Sequence, residues 1–203
     1  MDKKYHMTAD DIKAANPNID PTALSINQEI VIPTSEQLAE IRKARELPKS
    51  KKGNIQKQIN DTITLASTKN SVSEDVLRGL IFTESRGDIC AKSSTGAVGL
   101  CQLMPYAAQA VGASSVADPV QNVHAGATWL SECYKEANKL STLYSPEYNL
   151  DTLALMLYNA GGPKVTQALT GTGQLSSDII EYPKLVLGNK GKSMTFFCST
   201  GEV

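Results

Sequence analysis

From Ile55 onward, apolar residues recur at three- and four-residue spacing, the pattern of helices that bury one face. It predicts helices near 55–69, 73–85, 104–111, 121–139 and 150–159. Ser73 is a natural N-cap for the second, and Glu74 and Asp75 suit the positive end of its dipole. The stretch Leu150–Tyr158 is apolar on nearly every side, as a buried central helix would be. Asn159-Ala160-Gly161-Gly162-Pro163 then stops it. The region is read as a mainly α-helical domain over residues 55–190, followed by a tail at 191–203 whose role the sequence does not reveal.

The first 54 residues differ. Thr8 can cap a short helix running through Ile12 to Ala15. Asn16-Pro17-Asn18 and Asp20-Pro21 punctuate turns, and Ile30-Val31-Ile32 predicts a short strand stopped by Pro33. Residues 34–54 are charged and read as a solvated helix followed by a Pro/Lys/Gly linker.

Composition narrows the functional classes. The 20 Lys+Arg nearly balance the 21 Asp+Glu, giving a formal net charge of −1. Such a balance is no footprint for nucleic acid or a membrane surface, both of which call for clustered basic charge. A neutral polymer or a small molecule is the easier substrate. No stretch approaches the ~20 apolar residues of a membrane span. The start, MDKKYHMTAD, lacks the apolar core of a secretory signal, so either another exit route or a natural start elsewhere is expected. The four cysteines (Cys90, Cys101, Cys133, Cys198) form no CxxC pair, and two histidines supply no zinc spacing. Free thiols and all three disulfide pairings remain open at this level.

One carboxylate stands on the wrong face. On a helix over 73–85, Val76, Leu77, Leu80 and Ile81 share one arc, and Glu84 falls in its middle. Burial and the negative end of the helix dipole both disfavour its charged form. A carboxyl held protonated near neutrality is what a general acid requires. The alternative is a side chain that frays outward or pairs with Arg78 or Arg86. Gly87 and the run Ser93–Leu100 then form a Gly/Ser-rich loop whose backbone can come close to a polymer lying across it.

These residues resemble the lytic transglycosylases of the soluble (SLT) type, related in fold to goose-type lysozyme. Glu84-Ser85 resembles the Glu-Ser that ends the family's catalytic helix. Ser93 with Gly96-Ala97-Val98-Gly99-Leu100-Cys101-Gln102-Leu103-Met104-Pro105 is similar to its Ser…Gly-Ala-x-Gly-Leu-Met-Gln-x-Met-Pro stretch. Asp118-Pro119, with Asn122, Gly126 and Leu130, resembles the next helix, and Tyr158-Asn159-Ala160-Gly161 the Tyr-Asn-Ala-Gly block. Four blocks in order, spread over residues 56–187, make the resemblance specific.

The resemblance implies a lysozyme-like fold that cleaves peptidoglycan glycan strands without metal or cofactor. Glu84 would protonate the oxygen linking N-acetylmuramic acid to N-acetylglucosamine, then act as base on the muramoyl 6-hydroxyl, which closes a 1,6-anhydro ring. Ser93, Gln102, Met104, Tyr158 and Asn159 would line the saccharide site, with Tyr158 and Gln102 as hydrogen-bond partners of Glu84 or of the sugar. Ser85 and Asn159 have a second reading as caps at helix ends. Ordinary glycosidases use two carboxylates, whereas the matched blocks supply one. Asp88, the nearest other acid, reads as a turn residue. Departures from the family pattern are Cys101 for Met, Leu157 for Ala and Asp88 for Asn.

Residues 3–33 resemble the second half of a LysM module, which binds N-acetylglucosamine chains. Ile12, Ala15-Asn16-Pro17, Leu24, Asn27-Gln28 and Ile30-Val31-Ile32-Pro33 carry the match. The expected organisation is therefore a partial, α/β LysM-like module at 1–33, a charged helix and linker at 34–54, and an SLT-type domain at 55–190. His6 and His124 read as surface or helix-face residues, and Trp129 as a second packing contact. The protein is expected to act as a monomer at the bacterial cell wall, with no nucleic acid and no membrane insertion. A phage virion-associated or lysis protein fits the absence of a leader, and a periplasmic or extracellular bacterial enzyme is the alternative. Rival functions are a muramidase of the same fold and a non-catalytic wall-binding or phage-tail structural protein.

Overall fold

The computed structural model describes residues 52–144 and 147–199, together with Ile12, Ile30, Ile32 and Thr34. Most of the LysM-like module and of the charged linker lies outside the described residues. Ile30 and Ile32 are assigned to no strand and are 42% and 61% exposed. Val31 between them, and with it the short strand expected there, lies outside the described residues.

Residues Asn54–Thr200 form one compact unit. Ile12 is helical, and from Lys52 onward the described residues form seven helices: α1 (Lys52–Asn70), α2 (Glu74–Ser85), α3 (Pro105–Ala110), α4 (Pro119–Tyr144), α5 (Leu150–Ala160), α6 (Gly162–Leu169) and α7 (Ser177–Gly188). The first five coincide with the periodic segments of the sequence, and α4 runs five residues beyond the segment expected for it. None is long and apolar enough to cross a membrane.

The last two helices lack a clear sequence signal, for identifiable reasons. Pro163 is a helix-starting proline in α6, where its missing N–H costs nothing. Pro183 lies inside α7, where proline ordinarily argues against a helix. It is tolerated because the face of α7 bearing Ile179, Tyr182, Pro183 and Val186 is buried against the rest of the domain.

Helix α5 is the centre of the domain. Leu153, Ala154, Leu155, Met156 and Leu157 are all buried, and α4, α6 and α7 pack around it. Helix α2 packs on α7. Their close approach depends on Gly79, where a Cβ would sit 2.4 Å from the Val186 carbonyl oxygen. Ser73 caps α2 as expected, accepting a bond from the Val76 N–H. Helix α1 is tied to α2 by Arg78, whose Nη1 donates to Asn60 Oδ1 at 2.9 Å. Among the described residues there are no extended strands, only isolated bridges: Asp88 with Phe197, Lys92 with Val98 and Val98 with Leu103.

The tail is an integral part of the fold. Phe196 is 2% exposed, its N–H donates to Gln56 Oε1, and Gln56 Nε2 returns a bond to the Met194 carbonyl. Cys90 and Cys198 form a disulfide across 108 residues of sequence, while Cys101 and Cys133 are free and buried.

Candidate active site

Helix α2 ends in a tight stop. Arg86 adopts the left-handed conformation (φ 54°) and donates its N–H to the Phe82 carbonyl. Ser85 Oγ donates to the Ile81 carbonyl and accepts from the Gly87 N–H, so its role is that of a cap. Glu84 lies in this last turn, on the face that carries Leu77, Leu80 and Ile81 into the core.

The Glu84 carboxylate is neither frayed nor paired with arginine. Arg78 is held by Glu74 at 2.8 Å and by Asn60, and Arg86 is exposed. Instead Glu84 Oε1 accepts a very short hydrogen bond from the Tyr182 hydroxyl of α7. Burial raises the Glu84 pKa from its ordinary 4.5 to about 7, and the Tyr182 bond, which favours the charged form, opposes only part of that rise. Its charge in turn helps hold Cys101, Tyr158 and Tyr182 in their neutral forms, beyond what their own burial does. Glu84, Cys101, Tyr158 and Tyr182 thus form one inward-facing cluster.

Tyr182 is the partner that motif reading missed. Tyr158 and Gln102, expected to bond Glu84 or the sugar, make other bonds. The Tyr158 hydroxyl donates to the Cys101 carbonyl at 2.8 Å. Gln102, in the left-handed region at φ 44°, directs Nε2 to the carbonyls of Ala91 and Gly99. Both residues brace the loop beside Glu84. Ser93 Oγ accepts from the Ala97 N–H and shares a bond with Thr95, closing a turn at the loop's rim. Met104 is the half-buried N-cap position of α3, and Asn159 is exposed at the end of α5.

Asn122 anchors this loop from below. It is fully buried on α4, its Oδ1 accepts from the Cys101 N–H at 2.8 Å, and its Nδ2 donates to the carbonyls of Val98 and Val116. Gly99 is required above it, since a Cβ there would lie 2.6 Å from Asn122 Nδ2. Cys101 in turn fits over Gly126, where a Cβ would meet its Sγ at 2.4 Å. One helical turn further along α4, Trp129 packs against the core and meets the exposed Tyr106 edge-on, ring centroids 6.4 Å apart.

Asp88 is held by backbone. It is 8% exposed, and Oδ1 accepts from the N–H groups of Cys90 and Ser199. Asp88, Cys90 and Cys198 lie close enough to suggest a metal site, but the two sulfurs are bonded to each other.

A buried, protonatable glutamate thus stands at a helix end, beside a glycine-rich loop, in a helical domain. The model of the transglycosylase SLT domain matches residues 61–180, and the chain belongs to that family. A LysM domain model matches residues 3–33. Among similar proteins, a transglycosylase of Enterobacteria phage PRD1 is 31% identical over 137 residues, covering 66% of this chain and 46% of that protein. Membrane-bound lytic murein transglycosylase F 2 of Alkalilimnicola ehrlichii is 30% identical over 96 residues, covering 47% of this chain and 20% of its own. The crystal structure of an inactive mutant of lytic transglycosylase Slt from Pseudomonas aeruginosa superposes with a TM-score of 0.53 at 23% identity. It covers 64% of this chain and 23% of that one, and shows the shared fold. The chain spans less than half the length of each of these proteins.

Proposed function

We propose that this protein is a peptidoglycan lytic transglycosylase, with Glu84 serving in turn as acid and base. The observation that carries the reading is the Glu84 carboxyl, inward-facing at the end of α2 and protonated up to about pH 7. In the first step it donates its proton to the glycosidic oxygen as the muramoyl C1–O bond breaks, leaving positive charge on the sugar. In the second, the resulting carboxylate takes the proton of the muramoyl 6-hydroxyl as that oxygen bonds to C1, closing the 1,6-anhydro ring and restoring the acid. The Tyr182 hydroxyl steadies the carboxylate between the two steps. No second carboxylate is needed, because the sugar supplies its own nucleophile. Asp88, already bonded to two backbone amides, is suited to a structural role.

Ser93, Met104 and Asn159 are assigned to the saccharide, whereas Gln102 and Tyr158 act through the loop they brace. The similarity to phage and bacterial transglycosylases supports a substrate at the bacterial cell wall, reached from a phage particle, during lysis, or by a bacterial enzyme. The LysM match at residues 3–33 fits retention on the same glycan.

Digestion of purified peptidoglycan, followed by mass spectrometry of the soluble muropeptides, tests the reading. Anhydromuramoyl products, lighter by one water than reducing-end products, are expected. Reducing-end products alone would reassign the protein as a muramidase. No release, where a control enzyme works, would leave wall binding as its role.

Replacing Tyr182 by Phe removes a bond that favours the charged form of Glu84. The Glu84 midpoint is therefore expected to rise above that of the wild type. The maximal rate should fall by about 10²-fold, the lower end of the range for general acid–base assistance. A rate profile unchanged in both height and pH would show that Tyr182 does not act on Glu84.

A further inference from the structure

The family match ends at residue 180, yet the chain beyond it runs beside the catalytic helix for its whole last turn. Asn189 Nδ2 donates to Thr83 Oγ1 at 3.3 Å, and Lys192 Nζ stands 4.3 Å from the centre of the Phe82 ring. The Phe197 N–H donates to the Gly87 carbonyl, and the Phe197 carbonyl accepts from the Ile89 N–H, a parallel pairing centred on Asp88. Asp88 Oδ1 accepts from the Ser199 N–H at 3.1 Å, and Cys198 is bonded to Cys90. Contacts therefore flank Glu84 on both sides in sequence, and the segment follows directly on α7, the helix that carries Tyr182, the donor to Glu84.

We propose that residues 189–199 are a strap that positions the Glu84–Tyr182 pair, with Asp88 as its positioning residue and the Cys90–Cys198 disulfide as its latch. Three features separate a strap from a passive tail. It is anchored in the core by Phe196, 2% exposed. It is covalently closed at its far end. Its hydrogen bonds fall on the backbone immediately after the catalytic turn, where a shift of Gly87–Ile89 would move Glu84 relative to α7. Reduction by a small dithiol, which gives two electrons and two protons and becomes the cyclic disulfide, leaves Cys90 and Cys198 as thiols and the strap held by noncovalent bonds alone.

The inference rests on the assignment of Glu84, but its test does not require turnover. The carboxyl of Glu84 is titrated by carbon NMR in the full chain and in Asp88→Asn, Asp88→Ala and Cys198→Ser, alongside kinetics on peptidoglycan. The titratable groups facing Glu84 are the Cys101 thiol of the loop, Tyr158 of α5 and Tyr182 of α7, all held neutral well above the working pH. A moved midpoint therefore reports burial and the Tyr182 bond. Releasing the strap relieves burial, the larger influence, so Asp88→Ala and Cys198→Ser are expected to move the midpoint down from about 7 towards 4.5.

In the same two variants kcat should fall about tenfold with KM within about twofold, short of the ~10²-fold cost of a 1 Å misplacement. Asp88→Asn keeps an oxygen that accepts both amide bonds, and should retain the wild-type midpoint and a near-normal rate. Midpoints unchanged in Asp88→Ala and Cys198→Ser would overturn the strap, whether or not the protein cleaves glycan. Loss of rate in Asp88→Asn equal to that in Asp88→Ala would overturn it too, by showing that the charge of Asp88 is what matters. A shifted midpoint in a protein that cleaves nothing would sustain the strap while removing the proposed activity. If both disruptive variants fail to fold, Ser199→Pro, which removes the N–H that Asp88 accepts from that residue and fixes φ there, is read in the same way.

Discussion

Glu84→Gln is expected to abolish glycan cleavage while making the fold more stable at alkaline pH. The activity side follows from the two proton transfers assigned to one carboxyl. An amide can neither donate the proton nor take it back, so a loss of about 10³–10⁴-fold is expected, the upper part of the range for general acid–base catalysis. The stability side follows from the raised pKa. Below about pH 4.5, Glu84 is protonated in both folded and unfolded chains and contributes no pH dependence. Between 4.5 and about 7 the unfolded chain releases its proton first, so it binds fewer protons than the folded one, and stability falls as pH rises. Above about 7 the full cost of the buried charge is present. That cost approaches about 3 kcal/mol for full burial and is nearer 2 kcal/mol for a side chain that solvent partly reaches. Glutamine carries no such charge, and its oxygen can still accept from Tyr182. Chemical denaturation at pH 5 and pH 8 checks this: the wild type should weaken between the two and the variant should not. Parallel losses in both proteins would show that Glu84 titrates as an ordinary surface carboxyl. Activity of the wild type should decline above about pH 7, where the acid form is lost.

Asn122→Ala is expected to cost about 2–6 kcal/mol of stability. The reason is the arithmetic of unsatisfied groups. Asn122 is fully buried and serves three backbone groups at once: the Cys101 N–H and the carbonyls of Val98 and Val116. Alanine leaves the Cys101 N–H buried without a partner, at about 1–3 kcal/mol, and forfeits two further bonds of roughly 0.5–1.5 kcal/mol each. The void beneath Gly99 adds to this. Asn122→Asp should be no better, because a carboxylate oxygen would face two carbonyl oxygens where Nδ2 now donates. Since the loop held by Asn122 carries Cys101 beside Glu84, both variants should lose activity even where they remain folded. Thermal or denaturant unfolding provides the measurement, and a loss below about 1 kcal/mol for Asn122→Ala would mean that water replaces the side chain.

Most of the helical frame was legible along the chain because each helix carries its own evidence. Ser73 announced α2, periodic apolar residues marked α1 to α4, and the all-apolar run at Leu150–Tyr158 announced the central α5. Glu84 betrayed itself by standing in an apolar arc, since a helix fixes which residues share a face at a spacing of three or four. The loop after it was visible as glycine and serine. Helix α7 was hidden by Pro183, whose interior position only the folded chain makes acceptable, and the short α6 by the Gly161-Gly162-Pro163 run that reads as a stop.

What local pattern determined about this protein is therefore its helical class, its order of elements and the one carboxylate forced inward. Only the tertiary structure decided that Glu84 bonds Tyr182, 98 residues away, and that Gln102 and Tyr158 serve backbone carbonyls instead. It likewise selected Cys90–Cys198 from the open pairings and turned an unreadable tail into part of the surroundings of α2. The division has one physical cause. Periodicity and capping are settled within a few residues of chain, whereas the partner of a buried polar group is whichever donor the packing of distant helices brings within about 3 Å.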